Sequence, residues 1–427
     1  MTPLKRVLRA GFKGILRLYF RSIEEVGERP SPEVRGRVFV SNHSNALIDP
    51  ILVLTHARCD ISPLGKSTLW QIPGLKYLLD LADAVPIQRR RDDPNKDPRD
   101  NDKIFDKIAQ HLRAGGNVLV FPEGTSHNEP HMIRLRTGAA RMLERAAQLG
   151  ARDLTFQAVG LEFDARGKFR SSAVVAYGPV RRFDELSGEL VEQATRVMRD
   201  DLTALVIEGE DWDERRLVLR VAELLRNERG DVSLAEAVRI AQEVEHARDV
   251  LRAMHPEVAR AVEQQVRDYF AALESSGLRD DQLSADGERL PTERLPKAAW
   301  LTLPLLPVGA VLYFLPYQLP RLVARRTDEI DQHSTLKLAT GLVAYPLWAA
   351  LLCAIAWRAL DGRRARALST LTIVAAPFAA LYWLENLERL KRELRLARRS
   401  GALPALLARR AQTLAAIERA RAAVTQG

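Results

Sequence analysis

Between residues 35 and 182, short apolar runs rich in β-formers alternate with segments whose apolar residues recur every three or four positions. RVFVSN, DAVPIQR, NVLVFPEG, LTFQAVGLEF and SSAVVAYGPV read as strands, and PILVLTHA, NDKIFDKIAQHLRAGG and TGAARMLERAAQLG read as helices. Gly115-Gly116 stands where a helix should end, just ahead of a strand. The alternation predicts an α/β domain over 35–182, with a mixed, largely buried sheet flanked by helices. From 183 to 290 the pattern turns helical and charged, a helical subdomain. Residues 291–384 are a membrane region with two to three apolar spans, and 385–427 form a basic helical tail rich in Arg and Ala.

The apolar stretches change the picture most. Residues 298–320, 338–357 and 367–384 carry no charged side chain, and runs of this length reach across roughly 30 Å of hydrocarbon. Pro304, Pro307, Pro316 and Pro320 predict that the first is broken or shallow. The other two are expected to be C-terminal transmembrane helices. A net charge of +9 suits an anionic partner, and beside these spans that partner is membrane phospholipid, not nucleic acid. Residues 1–34 read as a basic amphipathic helix and linker. Lys5, Arg9, Lys13, Arg17 and Arg21 recur every four positions, with Leu4, Val7, Leu8, Ile15, Leu18 and Tyr19 largely off that stripe. This is the pattern of a helix lying in a membrane interface with its basic side toward headgroups. Charges interrupt the N-terminus throughout, so it does not read as a cleavable signal. Two cysteines, Cys59 and Cys353, build neither a disulfide framework nor a thiolate metal site.

Two segments carry candidate chemistry. VFVSNHSNALIDPIL (38–52) ends a strand at Asn42-His43 and places Asp49 six positions on. An imidazole at a sheet's carboxyl edge can take a proton from an alcohol near neutral pH, and a carboxylate would fix its tautomer. Taken alone, a His–Asp pair this close in sequence also fits simple local hydrogen bonding. VLVFPEGTS (118–126) runs a strand into a Pro-Glu-Gly turn. Gly124 permits close backbone approach, and Thr125 and Ser126 can donate to an anionic group. Glu123 is suited to substrate hydroxyls, or to orienting cationic side chains that hold a phosphate. Arg89, Arg136 and, less directly, Arg134 are the nearby cations, and the planar arginine fork matches phosphate.

These blocks together resemble the glycerolipid acyltransferases, the lysophosphatidate and glycerol-3-phosphate acyltransferase superfamily. NHSNALID is similar to that family's His-and-Asp block, AVPIQR to its Arg block and FPEGTS to its Glu-Gly block. AVGLEF falls where the family has a last, proline-containing strand, without the proline. Two departures stand out. Five residues separate His43 from Asp49 where four are usual, and Ser126 stands where an arginine is common. Both features resemble the branch with fungal glycerol-3-phosphate and dihydroxyacetone-phosphate acyltransferases and their bacterial relatives, as do FPEGTSH, GKFRSSAVVAYGPV and GLRDDQL.

The resemblance implies His43 and Asp49 as the catalytic pair. It also implies a substrate site of Asn42, Arg89, Glu123, Gly124, Thr125, Ser126 and Arg136, with neither metal nor bound cofactor. The acyl donor would be acyl-CoA or acyl carrier protein, and the acceptor glycerol 3-phosphate, dihydroxyacetone phosphate or a lysophospholipid. The implied location is integral to a membrane, with the catalytic domain on the cytoplasmic face. Two other readings use the same residues: a non-catalytic membrane lipid-binding protein on this fold, and an acyltransferase for a non-phosphate lipid.

Overall fold

A computed structural model describes residues 2–88, 99–186, 188–230, 232–283, 300–398 and 400–425. The chain forms two compact units. The first comprises Met1–Arg215, Ser233–Gln242 and Glu329–Thr335, and the second Arg216–Val232, Glu243–Asp328 and Leu336–Gly427.

A seven-stranded sheet organises the first unit. Its strands are β1 (Ser22–Gly27), β2 (Arg37–Ser41), β3 (Ser62–Lys66), β4 (Val85–Ile87), β5 (Val118–Val120), β6 (Thr155–Phe163) and β7 (Ser172–Arg182), in the order β1-β7-β6-β2-β5-β3-β4. β2 through β6 run parallel, and the antiparallel β6–β7 hairpin turns β7 and β1 the other way. The sheet is therefore mixed, as expected. Val38 and Val40 of β2, Val118 of β5 and Phe156 of β6 pack under Ile108, Leu112 and Leu143. Those residues come from α4 (Arg99–Arg113) and α5 (Gly138–Gln148). The elements before them are α1 (Pro3–Tyr19), α2 (Ile48–His56) and α3 (Leu75–Leu81). A core buried on both faces accounts for the near-continuous apolar strands.

The structure corrects two sequence expectations. First, the sheet begins at Ser22 rather than after residue 34. β1 pairs along β7 and carries Glu24 and Glu25, charges that suit an edge strand and hide it from a hydrophobicity scan. β3 escapes for a related reason, since Pro63 and Gly65 lower its strand propensity. Second, Lys5, Arg9 and Lys13 of the basic stripe on α1 are turned toward the body of their unit. Lys5 reaches Asp60 at 3.5 Å and also Asp83, Arg9 donates to the carbonyls of Thr55 and Cys59, and Lys13 lies 3.9 Å from Glu25. The outward face instead shows Leu4, Val7 and Leu18, flanked by exposed Arg6 and Arg17. The described part of the 298–320 stretch is broken, as its prolines predict. It contains only the short helices Leu305–Leu312 and Phe314–Ala324.

After α6 (Leu190–Thr203), α7 (Trp212–Arg229), α8 (Leu234–Met254) and α9 (Pro256–Ser276), those two short helices are α10 and α11. They are followed by α12 (His333–Ala359), α13 (Arg363–Arg398) and α14 (Leu403–Thr425). In the second unit Leu217, Leu224, Val266, Tyr269, Leu273 and Leu406 form a core. Beside it, wholly buried Asp280 of GLRDDQL accepts hydrogen bonds from Asn227 at 2.7 Å, from Arg410 Nε at 2.9 Å and from the Tyr269 hydroxyl. This satisfied ion pair explains that motif structurally. Ile330–Ala359 and Arg363–Leu387 are long and apolar enough to cross a membrane, and the most apolar window of the former has no residue buried within the structure.

Candidate active site

Parallel pairing places the decisive loops together. Val38 and Val40 of β2 stand opposite Val118 and Val120 of β5, so the chain leaving both strands emerges side by side at the sheet's carboxyl edge. The β2 exit supplies His43, and the β5 exit supplies Phe121 through Gly124. The His43 ring stacks on Phe121, with centroids 4.1 Å apart and planes 23° from parallel.

Beyond His43 the backbone bends sharply at Ala46, whose φ of 40° is left-handed despite its side chain. The bend accommodates the five-residue interval and starts α2 so that Asp49, in its first turn, points back. One Asp49 oxygen, Oδ2, lies 3.0 Å from His43 Nδ1 and accepts from the Ser44 N–H at 2.8 Å and the Asn45 N–H at 2.7 Å. Two backbone N–H groups thus point at Oδ2, which serves them as acceptor. An ionised carboxylate only accepts, so Nδ1 carries the ring proton and Nε2 presents its lone pair. Asp49 is 0% exposed while the His43 side chain retains 14%, which leaves a base reachable by substrate above a carboxylate that water cannot screen.

Glu123 lies beneath the loop that carries His43. Its Oε2 accepts from the His43 backbone N–H at 3.1 Å and contacts His127 Nε2 at 2.7 Å, and its side chain is buried. Through Oε2 it ties the β2 exit to the end of the FPEGTSH stretch. His127 is the site residue that sequence reasoning passed over, although it closes the FPEGTSH stretch. It is tied back twice, because its N–H also donates to the His43 carbonyl at 3.2 Å. Asn42 is likewise structural. Its amide donates to the Leu161 carbonyl at 2.9 Å and accepts the Leu161 N–H at 2.8 Å, locking the β2 exit to β6.

The remaining predicted residues divide. Gly124 has φ +77°, and a Cβ there would sit 2.7 Å from Arg136 Nε. The guanidinium of Arg136 therefore lies directly over the turn, held by the Arg136 N–H donating to the Pro122 carbonyl at 2.8 Å. It is exposed, and its side chain has no partner among the described residues. Thr125 and Ser126 are half-buried in the same loop, and Arg134 is exposed. Arg89 lies outside the described residues. Asp49 Oδ1, Glu123 Oε1 and both amide atoms of Asn45 are buried without a hydrogen-bond partner among the described residues. Such atoms are costly in a core and concentrate where ligands or solvent are handled. No cluster of three metal-ligating side chains occurs among the described residues.

The arrangement thus sets an imidazole on a buried carboxylate beside a glycine turn, with the Arg136 guanidinium over that turn. A family model described as Acyltransferase matches residues 22–161, beginning where β1 begins. Over those residues the chain is similar to the acyltransferase domain that this model describes.

Individual relatives match over limited stretches. Glycerol-3-phosphate O-acyltransferase 2 of Saccharomyces cerevisiae is 28% identical over 200 residues, 43% of this chain and 26% of the yeast protein. Human lysophospholipid acyltransferase LPCAT4 is 26% identical over 144 residues, 32% of this chain and 26% of its own length. The chloroplastic 1-acyl-sn-glycerol-3-phosphate acyltransferase LPAT1 of Arabidopsis thaliana is 26% identical over 121 residues, 28% of this chain and 32% of its own length. Among solved structures, the 1-acyl-sn-glycerophosphate acyltransferase PlsC of Thermotoga maritima aligns at a TM-score of 0.34 and 17% identity. That alignment covers 46% of this chain and 77% of the other.

Proposed function

We propose that the protein is a membrane-bound O-acyltransferase of phospholipid biosynthesis. It would move a fatty acyl group from a thioester donor, acyl-CoA or acyl carrier protein, to the hydroxyl of glycerol 3-phosphate, dihydroxyacetone phosphate or a lysophospholipid. The observation that carries this reading is the His43–Asp49 pair, an accessible imidazole on a wholly buried carboxylate at 3.0 Å. His43 Nε2 takes the acceptor hydroxyl proton while Asp49 stabilises the imidazolium that results. The oxygen forms a bond to the thioester carbonyl carbon, giving a tetrahedral oxyanion. Collapse breaks the C–S bond, and the departing thiolate takes the proton back from His43. The pair thus ends as it began, without a side chain being acylated.

Arg136 is the best-placed cation for an acceptor phosphate, with the Thr125 and Ser126 hydroxyls beside it and Arg89 as a second cation by family resemblance. The glycerol phosphate named for the yeast relative is consistent with such a group. Labelled acceptors offered to the purified full-length protein test this reading. Arg136→Ala should raise the KM of phosphorylated acceptors by about 10-fold or more, the scale of a charge-assisted hydrogen bond, and change that of an uncharged monoacylglycerol much less. Equal losses with both acceptors would make Arg136 structural.

The membrane reading rests on the two long apolar helices and on the outward face of α1. An apolar helix with no burial in its central window needs an apolar surrounding. Leu4, Val7 and Leu18, edged by Arg6 and Arg17, suit the headgroup boundary. The full-length protein should stay with membranes through high salt and alkaline carbonate and leave only in detergent. Release by salt alone would turn the apolar helices into protein-facing surfaces.

A further inference from the structure

The catalytic loop has a neighbour on its other side. β6 pairs with β2 in parallel, so the turn that follows β6 also emerges at the carboxyl edge, opposite the β5 exit. Arg166 belongs to that turn. Its guanidinium lies 5.4 Å over the exposed ring of Trp212, and Nη1 reaches the Ser44 carbonyl at 3.4 Å. The Ser44 carbonyl and the Asn45 N–H are the two ends of one peptide group, and that N–H is the shortest donor to Asp49 Oδ2, at 2.7 Å.

We propose that Arg166 is a positioning residue for the catalytic pair, holding and polarising the Ser44–Asn45 peptide so that its N–H keeps Asp49 aimed at His43. The relay runs from the cationic guanidinium to the peptide carbonyl, from the peptide N–H to the carboxylate, and from the carboxylate to imidazole Nδ1. A charged donor at the carbonyl strengthens the N–H at the other end, as hydrogen bonds in series do where water is scarce. The brace suits a turn that needs one, because Ala46, next along, is held left-handed at φ 40°. The loop is tied down beyond the turn as well, where the Leu47 N–H donates to Thr335 Oγ1 at 3.1 Å. Burial lowers the Arg166 pKa and Arg215 lowers it further, while Glu162, Asp49 and Asp331 raise it. The carboxylate of the pair is thus among the charges that Arg166 faces. Nothing in the spacing of NHSNALID points to this residue, which lies more than a hundred positions downstream.

The inference rests on the acyltransferase reading, and its test is chosen to remain legible without it. In the full-length protein, R166M keeps an unbranched stem over Trp212 and removes the charge, whereas R166K keeps both. R166M should lower kcat about 10- to 100-fold, the size of one hydrogen bond to a charged group. The KM values of donor and acceptor should stay within about 2-fold, since no substrate contact is lost. R166K should recover most of kcat. Placed in an Asp49→Asn background, R166M should add less than about 2-fold, because both changes act through one carboxylate.

A second readout needs no turnover. The His43 ring resonances, followed by NMR in protein labelled at histidine carbons, should move in R166M, where the brace on the peptide that aims Asp49 is gone, and should stay in place in R166K. If acyl transfer itself is absent, these resonances still decide the proposal. Should R166M fail to fold, Trp212→Leu removes the seat of the guanidinium, and the same signs are expected at smaller size. Unchanged kcat and His43 resonances in R166M, an equal loss in the Asp49→Asn background, or a KM effect confined to phosphorylated acceptors would each overturn the proposal. The last would make Arg166 a substrate ligand.

Discussion

Replacing His43 by alanine should cut acyl transfer by at least about 10²-fold, and by as much as 10⁴-fold, the range lost with a general base. The fold should survive, because the ring's stabilising contacts are local. It stacks on Phe121 and bonds to Asp49 through Nδ1, while the backbone contacts to Glu123 and His127 do not depend on the side chain. The informative comparison sets kcat against thermal unfolding of the same preparation. A large loss of kcat with a nearly unchanged midpoint assigns the loss to chemistry. An alanine variant with near-normal turnover would remove His43 from the mechanism.

Asp49→Asn should be almost as severe, with turnover down by roughly 10²- to 10⁴-fold and acceptor KM changed far less. An asparagine oxygen can still accept from the Ser44 and Asn45 N–H groups, so the turn has reason to keep its shape. What it cannot supply is negative charge beneath His43. The imidazolium formed during proton transfer then loses its counterion inside a site where Asp49 is 0% exposed and screening is weak. The tautomer loses its guide as well, since an amide can donate as well as accept at Nδ1. A variant that kept kcat but lost acceptor affinity would mean that Asp49 holds substrate rather than His43.

The parts of this site visible in the sequence are those set by short-range spacing. Asn42-His43 after an apolar run and Pro-Glu-Gly after another both mark strand exits, and parallel pairing of β2 with β5 brings two such exits together. What spacing could not tell was whether an extra residue would carry Asp49 out of reach. That outcome depends on a left-handed Ala46, a conformation alanine rarely takes and no propensity scale anticipates. Asn42 was read as a substrate contact because its chemistry permits it, but its amide is taken up by Leu161. Glu123, in contrast, gives Oε2 to His43 and His127 and keeps Oε1 without a partner among the described residues.

His127 was within reach of sequence reasoning, standing four positions after Glu123 in the same motif. Arg166 was not, because only the order of strands in the sheet places the β6–β7 turn beside the β2 exit. The same limit applies to the fold. Strands with apolar alternation were legible, whereas β1, with its glutamates, and β3, with proline and glycine, are strands by partnership more than by propensity. On α1 the repeat of basic residues was read correctly as a stripe. Its direction depended on Asp60, Asp83 and Glu25, which the helix sequence does not contain.

The central claim is that His43, steered by Asp49, activates an acceptor hydroxyl for direct attack on a thioester. It is tested most directly by release of free thiol from a long-chain acyl thioester, with the acyl group labelled, by purified protein with and without glycerol phosphate or lysophospholipid. Thiol release should require the acceptor, match one for one the label appearing in acylated product, and vanish in His43→Ala. Acceptor-independent release that leaves label on the protein, or equal release by His43→Ala, would contradict it.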